Sequence, residues 1–209
     1  MSQHQTAKQE VVSVCSARLP TIYAEFRMTV YKDVGGREHV YLSLGEAAGS
    51  PLLVRIHSEC LTGDVFGSVR CDCREQLLFA LETIAEEGRG SLVYLRQEGR
   101  GIGLTNKVHA YALQDGGLDT VDANLHLGLP VDDRSYSVAA AILRDQGVHR
   151  VRLLTNNPQK VSGLELGGIQ VIERIPHEVT PRPENQDYLR TKADRLGHLL
   201  EILSPRVNP

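Results

Sequence analysis

The sequence predicts a single α+β domain in which antiparallel strands come first and strands alternating with helices follow. The first quarter contains runs rich in Val, Tyr and Phe that turn residues separate, which is typical of antiparallel strands. From residue 73 onward, apolar residues recur at helical spacing, and short apolar strands alternate with these helices. The chain has 209 residues, of which 41% are hydrophobic and 23% charged, so it can form one sizeable core.

Four strands are expected in the N-terminal part, at residues 10–16, 22–31, 39–44 and 52–57. These runs are rich in β-branched and aromatic residues. Gly35 and Gly36 mark a turn before the third run, and Pro51 stands just before the fourth. This part of the chain should therefore be mostly antiparallel sheet.

Helices and strands alternate in the rest of the chain. Leu77, Leu81 and Ile84 follow the spacing of an amphipathic helix that Gly88 ends. By similar signals, helices are expected at 74–87, 104–114, 135–146, 158–166 and 185–203, and strands at 91–95, 151–154 and 169–173. Residues 11–203 would form the domain, with flexible tails at 1–10 and 204–209.

Composition and charge exclude several classes of protein. The chain has 23 Lys and Arg against 26 Asp and Glu, a net charge of −3, whereas nucleic-acid-binding proteins usually carry a basic excess. No apolar run approaches the ~20 residues of a transmembrane helix, and the polar N-terminus lacks the apolar region of a secretory signal. The sequence therefore predicts a cytoplasmic protein that binds neither nucleic acid nor a membrane.

Three of the four cysteines, Cys60, Cys71 and Cys73, lie within fourteen residues. In a chain without a secretory signal, such clustering favours a metal site over disulfides. Three thiolates would bind zinc and leave a fourth position open for water, as in catalytic sites, and this interpretation is favoured. The alternatives are small buried side chains without a metal, and a closed structural site with His57 as the fourth ligand.

Residues 51–100 contain six arginines and no lysine. Planar guanidinium groups suit phosphate and carboxylate, but the same window holds eight acidic residues, so surface ion pairs are the alternative. Ion pairing is favoured for Arg74 and Arg89, which lie on or beside a predicted helix. Anion binding is favoured for Arg55 and Arg100, which lie at strand ends.

Three segments that precede predicted helices are candidate anion sites. The glycines of residues 99–103 (GRGIG) allow backbone N–H groups to approach a ligand, although this spacing alone is weak evidence. Residues 155–160 (TNNPQK) form either an ordinary Asn-Pro turn with a helix cap or a second anion or ribose site that uses Lys160. Residues 132–134 (DDR) are either a helix cap or part of the site.

Taken together, these segments resemble the GTP cyclohydrolase II family. The resemblance rests on residues 55–73 (RIHSECLTGDVFGSVRCDC), 95–104 (LRQEGRGIGL), 106–114 (NKVHAYALQ) and 153–160 (LLTNNPQK). Residues 188–192 (YLRTK) and the pair Gly197 and His198 also fit the family pattern. The motifs occur in the right order, and the resemblance extends over residues 15–203.

The resemblance implies that the chain opens GTP at the start of riboflavin synthesis. Water activated by zinc would attack the C8 carbon of the purine, the imidazole ring would open with release of formate, and cleavage between the α and β phosphates would release pyrophosphate. The product would be 2,5-diamino-6-(5-phosphoribosylamino)pyrimidin-4(3H)-one. One zinc ion would be held by the three cysteines, Mg²⁺ would accompany the triphosphate, and the enzyme would be a homodimer with the fold of this family.

The resemblance also implies roles for individual residues. Asp132 and Arg134 would act as general base and nucleophile, and Tyr111 would act beside the zinc. A guanidinium group is an awkward nucleophile because its pKa exceeds ~12, so clamping of the α-phosphate by Arg134 is the alternative. The residues implied in binding GTP are Arg55, Ile56, His57, Ser58, Glu59, Gln76, Glu98, Gly99, Arg100, Thr120, Thr155 and Lys160.

Three residues depart from the family pattern: Arg74, Thr105 and His109. None of them removes an implied ligand or catalytic group. They leave room for a paralogue that opens GTP for a specialised deazapteridine-like pathway, and for an inactive homologue that acts as a partner protein. A zinc-stabilised nucleic-acid-binding module is disfavoured because the sequence shows neither a clear fourth ligand nor a basic excess.

Overall fold

The computed structural model describes residues 10–47 and 51–203. Apart from residue 10, the two predicted tails lie outside these ranges. The described part of the chain forms a mixed sheet of seven strands with helices packed on both faces. The predicted α+β class is therefore confirmed.

The strands are β1 (Val11–Pro20), β2 (Glu25–Asp33), β3 (Glu38–Leu44), β4 (Leu52–Ser58), β5 (Gly90–Leu95), β6 (Arg150–Leu154) and β7 (Gln170–Ile175). Their order in the sheet is β1-β2-β3-β5-β4-β6-β7. Pairing is antiparallel from β1 through β3 to β5 and parallel from β5 through β4 and β6 to β7. The carboxyl ends of the parallel strands meet at one edge, where parallel sheets usually bind ligands.

The helices of the described part are α1 (Cys73–Glu87), α2 (Gly103–Asp115), α3 (Thr120–His126), α4 (Ser137–Asp145), α5 (Pro158–Leu166) and α6 (Gln186–Leu196). α1 connects the adjacent parallel strands β4 and β5, and α5 connects β6 and β7. Within the described ranges, no helix has the length and apolar character needed to cross a bilayer.

The sheet has one hydrophobic core on each face, and alternate side chains of β4 pack into the two cores. Val54 and Ile56 pack with residues of α4 and α5 on one face, whereas Leu53 packs with α1 on the other. Because every second side chain shares a face, Arg55 and His57 lie on the α1 side with Leu53. Both are almost fully buried, at 3% and 2% exposure, so a charged and a titratable group sit inside the fold.

Two predicted boundaries of the N-terminal strands are wrong. The first strand continues to Pro20, and the second begins at Glu25 rather than at residue 22. Between them, Oγ1 of Thr21 accepts hydrogen bonds from the N–H groups of Tyr23 and Ala24, both at 3.1 Å. This side-chain turn replaces the extended backbone that the apolar run predicts.

The C-terminal part needs two further corrections. The predicted helix at 185–203 ends at Leu196, because Gly197 adopts a left-handed conformation with φ 66°. α3 was not predicted, although its cap is visible in the sequence: the Asp119 side chain accepts hydrogen bonds from the N–H groups of Val121 and Asp122.

Candidate active site

Three thiols converge where the chain leaves β4. Cys60 follows the strand, and Cys71 and Cys73 lie at the start of α1; their Sγ atoms are all within 4.8 Å of one another. The 3.7 Å between Cys60 and Cys71 matches the ~3.8 Å expected for two thiolates ~2.3 Å from a tetrahedral zinc. Gly63 permits this approach, because a Cβ atom there would lie 2.9 Å from Sγ of Cys71. The donor set therefore fits zinc with one open position.

His57 is not part of this group. Its Nε2 lies 3.1 Å from both carboxylate oxygens of Asp64, and its ring stacks on Tyr94 with 5.4 Å between centroids. Burial lowers the pKa of His57, so the neutral ring donates its Nε2–H to Asp64. Asp64 also accepts the N–H of Cys60 at 3.0 Å. This geometry disfavours a closed site with His57 as the fourth ligand. His57 instead helps to position Cys60, because it holds the Asp64 carboxylate that accepts the N–H of Cys60.

A largely buried ion pair, with side chains 11% and 10% exposed, lies against the first thiol. Nζ of Lys107 is 3.1 Å from Sγ of Cys60 and 2.7 Å from Oε1 of Glu98. The other carboxylate oxygen of Glu98 accepts the N–H of Leu61 at 2.6 Å. Hydrogen bonds from the neighbouring thiols, together with the Lys107 cation, hold the pKa of Cys60 far below its usual range. The site therefore favours a thiolate at Cys60.

Tyr111 lies beside the thiols. Its hydroxyl is 3.3 Å from Oγ1 of Thr62, which is itself 3.7 Å from Sγ of Cys60. Burial raises the pKa of Tyr111, so the hydroxyl keeps its proton. The structure thus places a proton donor next to the group of cysteines.

These groups line a cavity of about 620 Å³ at the carboxyl ends of the parallel strands. The cavity brings together most of the site residues that the sequence predicted. Besides the three cysteines, it is lined by Arg55, His57, Ser58, Glu59, Gln76, Glu98, Gly99, Arg100, Tyr111, Thr120, Arg134 and Lys160.

Arg55 and Lys160 place buried cations in the cavity wall. Arg55 donates to the carbonyl of Leu154 at 2.9 Å and to Oε1 of Gln76 at 2.6 Å, and burial lowers its pKa to about 10. Nζ of Lys160 donates to the carbonyl of Ile56 at 2.7 Å. Burial, followed by repulsion from Arg55 and other cations, lowers the pKa of Lys160 well below its usual range.

The lowered pKa of His198 also indicates a positive electrostatic potential in the cavity. Burial is the main cause that lowers its pKa to about 2, and repulsion from cations including Lys192, Arg134 and Lys160 adds to it. Cations that repel one another in a buried site are stabilised when a polyanion binds. The cavity is therefore suited to a phosphorylated ligand, although the whole chain carries a net charge of −3.

Arg100 lies on a strained turn. It has a positive φ of 60°, and it is the only non-glycine residue of the described ranges in that region. Its buried Nη1 and Nη2 atoms have no hydrogen-bond partner among the described residues, while the guanidinium lies 5.8 Å from the centre of the Tyr188 ring. Two unpaired buried donors facing a cavity indicate a place for anionic oxygens.

Arg134 is held by its neighbour Asp132. Its Nε donates to Oδ1 of Asp132 at 2.8 Å, and its Nη2 donates to Oδ2. Burial alone would lower the pKa of Arg134. The hydrogen bonds to Asp132 outweigh the effect of burial, so the pKa lies above its usual value. For Asp132, burial alone would raise the pKa, but the hydrogen bonds and charge of Arg134 outweigh the effect of burial, so the pKa lies below its usual value. The pair therefore stays ionised.

Three of the implied residues do not line the cavity. Ile56 is fully buried and reaches the site through its carbonyl, which accepts the Lys160 hydrogen bond. Thr155 is buried, and its Oγ1 accepts the N–H of Asn157 at 3.0 Å. Asp132 lines a neighbouring cavity together with Arg134.

Other residues of the site were missed or lie elsewhere. Lys107, Tyr188, Lys192 and His198 line the cavity but were given no role; the motif YLRTK contains two of them. Arg74 and Arg89 lie outside it, as expected. Their described hydrogen bonds, however, go to backbone carbonyls rather than to the carboxylates that ion pairing predicts: Val65 for Arg74, and Glu46 and Ala47 for Arg89.

Known proteins resemble this chain along most of its length. A GTP cyclohydrolase-2 of Neisseria meningitidis serogroup A is 55% identical over 188 residues, which cover 90% of this chain and 95% of the relative. A GTP cyclohydrolase-2 of Pseudomonas putida is 56% identical over 192 residues, covering 91% of this chain and 94% of the relative. The riboflavin biosynthesis protein RibBA of Salinispora tropica is 56% identical over 203 residues, or 96% of this chain and 50% of that protein.

Among solved structures, RibBX, a two-domain 3,4-dihydroxy-2-butanone 4-phosphate synthase from A. baumannii, has a TM-score of 0.43 and 20% identity, covering 81% of this chain and 42% of that chain. The family model for GTP cyclohydrolase II matches residues 12–176. With this match and identities of 55% and 56% over nine-tenths of its length, the chain belongs to the GTP cyclohydrolase II family of hydrolases.

Proposed function

We propose that the chain is a zinc-dependent enzyme that opens the imidazole ring of GTP in the first step of riboflavin synthesis. The reaction hydrolyses the purine at C8, releases formate and pyrophosphate, and forms the diaminopyrimidine ribosyl monophosphate. One observation carries the proposal: three thiols that suit zinc and a surplus of buried cations line the same cavity of about 620 Å³.

The metal would be held by Cys60, Cys71 and Cys73. Zinc bound there supplies a Lewis acid that lowers the pKa of water. Lys107 offsets part of the negative charge of three thiolates through its hydrogen bond to Cys60. The protonated Tyr111 hydroxyl is a suitable donor toward an imidazole nitrogen of the purine as the ring opens.

The triphosphate would be bound by the cations of the cavity. Arg100 offers two unpaired buried donors, and Lys160 contributes a point charge. Mg²⁺ accompanying the triphosphate would neutralise further charge as the bond between the α and β phosphates is cleaved. Together these groups stabilise the leaving pyrophosphate.

Arg134 would act as an electrostatic clamp on the α-phosphate, with water as the nucleophile. A nucleophilic guanidinium would have to lose a proton, but its hydrogen bonds to Asp132 raise its pKa instead. Asp132 would fix the orientation of Arg134, because its carboxylate accepts two hydrogen bonds from the guanidinium, and this carboxylate would serve as the general base.

The guanine base and the ribose would be bound by the remaining residues. Gln76, Arg55 and residues 57–59, at the end of β4 and just beyond it, would contact the base and adjoining groups. Glu98 would help to bind GTP indirectly, by holding the glycine turn in place. Its carboxylate already accepts hydrogen bonds from Leu61, Gly99 and Lys107. Thr120 would contact the ligand directly, whereas Ile56 and Thr155 would support it from the cavity wall.

The chain would work as a homodimer in the cytoplasm, with residues 11–203 as its catalytic domain. The proposed partner is the small-molecule substrate GTP rather than nucleic acid or a membrane. Light scattering of the purified chain tests the oligomeric state.

Turnover of GTP and ATP tests the reaction. The zinc-loaded chain should release formate and pyrophosphate from GTP, and ATP should react about 10⁴–10⁵-fold more slowly, because buried polar groups that pair with guanine are left unpaired by adenine. Formate, pyrophosphate and product mass are measured. Comparable turnover of ATP, or a purine with an intact ring, would contradict the proposal.

The matched variants Cys71→Ser and Cys15→Ser test the metal site. Cys71→Ser should lose both zinc and ring opening, since two thiolates would remain for an ion that takes about four ligands. Cys15 is exposed on β1, far from the group of three thiols in the sequence, so its replacement should leave the zinc content unchanged. Full zinc occupancy in Cys71→Ser would refute its assignment as a ligand.

A further inference from the structure

The C-terminal helix lies beyond the part of the chain that the family model matches. That match ends at residue 176, whereas α6 begins at Gln186. α6 is nevertheless a wall of the cavity, because Tyr188, Thr191 and Lys192 line it together with the three thiols. Tyr188 is partly buried there, and burial raises its pKa to about 12.

α6 is docked by several contacts. The N–H of Leu199 donates to the carbonyl of Asn156 at 2.8 Å, which ties the end of the helix to the connection between β6 and α5. Arg195 pairs with Asp122 of α3 at 3.0 Å. These contacts hold the helix over the cavity.

Lys192 links α6 to the segment between β4 and α1 that carries the thiols. Its Nζ lies 2.5 Å from Oδ1 of Asp72, and the two side chains are 9% and 2% exposed. Asp72 stands between Cys71 and Cys73. A buried carboxylate needs a cationic partner, and Lys192 is the one that pairs with it among the described residues. The position of Asp72 therefore depends on the docked helix.

Asp72 in turn fixes the amide of Gln76. Arg55 has only donors, so Gln76 turns its amide oxygen toward Arg55 at 2.6 Å. Its Nε2 then faces Asp72, which accepts it at 2.6 Å. A continuous chain of hydrogen bonds thus runs from Lys192 through Asp72 and Gln76 to Arg55.

We infer that Lys192 is a positioning residue for the bound nucleotide, acting through Asp72 on Gln76 and Arg55. The site is then incomplete without α6, and the helix belongs to the catalytic unit. The inference rests on the proposed function, in which Gln76 and Arg55 contact GTP.

Hydrogen exchange of the wild-type, zinc-loaded chain is the first test. A non-hydrolysable GTP analogue should slow exchange of the amides of α6 along with those of the loop between β4 and α1. Unchanged exchange of α6 on binding of the analogue would overturn the inference. This measurement needs no variant and does not depend on turnover.

Replacement of Lys192 is the second test. Lys192→Met should weaken binding of the analogue roughly 10–100-fold, the usual loss when a supporting partner of a site is removed, and Lys192→Arg should recover most of it. Arg190→Met is the matched control, because Arg190 lies on the same helix with a side chain 62% exposed and pairs with the exposed Asp187. The control should bind the analogue like the wild type. Equal binding by Lys192→Met and the control would refute the role of Lys192.

A double variant separates positioning from simple stabilisation of the fold. In the Gln76→Leu background, Lys192→Met should cause little further loss of affinity, because the path through Gln76 is already broken. Additive losses would show that Lys192 acts by another route and overturn the inference. If the wild type itself fails to bind the analogue, the proposed function fails; if it binds but Lys192→Met changes nothing, only the role of α6 fails.

Discussion

Arg134 differs from Arg55 and Lys160 because it is paired with a carboxylate, that of Asp132, through two hydrogen bonds. The pairing with Asp132 fixes its direction and keeps it charged. Arg55 and Lys160, in contrast, bond to carbonyl groups, and their pKa values are lowered. Electrostatic clamping therefore suits Arg134 better than nucleophilic attack.

Arg134→Ala and Arg134→Lys test this role. Arg134→Ala should keep its zinc and lose pyrophosphate release by roughly 10³-fold or more, the usual effect of removing an arginine from a phosphoryl-transfer site. Arg134→Lys should retain part of the activity because it keeps the charge. The intact mass of wild-type enzyme quenched during turnover should show no nucleotide adduct. An adduct on the wild type that is absent from Arg134→Ala would instead establish a covalent nucleophile.

Sequence reasoning found the thiols but not the residues that support them. The spacing of Cys60, Cys71 and Cys73 is a local signal that zinc chemistry explains. Lys107 and Lys192 act on this group from helices distant in sequence, at 47 and 120 residues from their partners. Such contacts depend on how helices dock, which local patterns do not encode.

At the scale of elements, the turn between β5 and α2 depends on a close approach. Gly101 has φ 93°, and a Cβ atom there would lie 2.9 Å from both the carbonyl carbon and the oxygen of Asp133. The N–H of Asp133 in turn donates to the carbonyl of Arg100 at 2.9 Å. The glycine turn thus holds the segment that carries Arg134.

Gly101→Ala should therefore destabilise the chain and displace Arg134. We expect a loss of about 1–3 kcal/mol in the free energy of unfolding from backbone strain, with an added loss of pyrophosphate release from the displaced segment. Gly103→Ala is the matched control: Gly103 has φ 85°, but a Cβ atom there meets nothing within 4 Å. Chemical denaturation and the pyrophosphate assay measure both effects. Equal activity losses in the two variants would contradict the role of the Asp133 contact.

Element prediction succeeded where periodicity was strong and failed where a side chain or a single glycine decided the boundary. The helix with Leu77, Leu81 and Ile84 was found within one residue of its ends. α3 has seven residues, too few for a clear periodic pattern, and only its Asp119 cap marks it. α6 stops at Gly197 although apolar residues continue to Leu203, because backbone conformation outweighs the apolar pattern there.

For the molecule as a whole, buried neutral histidines make the free energy of unfolding depend on pH. His177 donates to the carbonyl of Gln76 at 2.8 Å and stacks on Phe79, and burial, then the charge of Arg55, lowers its pKa to about 2. Unfolded, a histidine binds a proton below about pH 6.5. Between these values the unfolded state binds more protons than the folded state, so stability is full above about pH 6.5 and falls as the pH drops toward 2.

Replacing His177 should flatten this dependence. Between pH 6 and 4.5, above the ordinary range of aspartate, His177→Gln should lower the slope of unfolding free energy against pH by about 1.4 kcal/mol per pH unit. His109, exposed on α2, provides the matched control, and His109→Gln should keep the wild-type slope. Denaturation is followed at a series of pH values with zinc held constant. An unchanged slope in His177→Gln would show that His177 is not the group that takes up the proton.

The position of the thiols in the chain has a consequence for the order of folding. All three lie in the connection between β4 and β5, two adjacent strands that α1 joins within residues 52–95. The cations of the cavity, however, are brought in by contacts that span about half of the chain: Arg55 reaches a carbonyl 99 residues away, and Lys160 one 104 residues away. Short loops close at lower entropic cost, and local contacts form sooner. During synthesis and refolding, the chain should therefore gain the ability to hold zinc before it gains the ability to recognise a nucleotide.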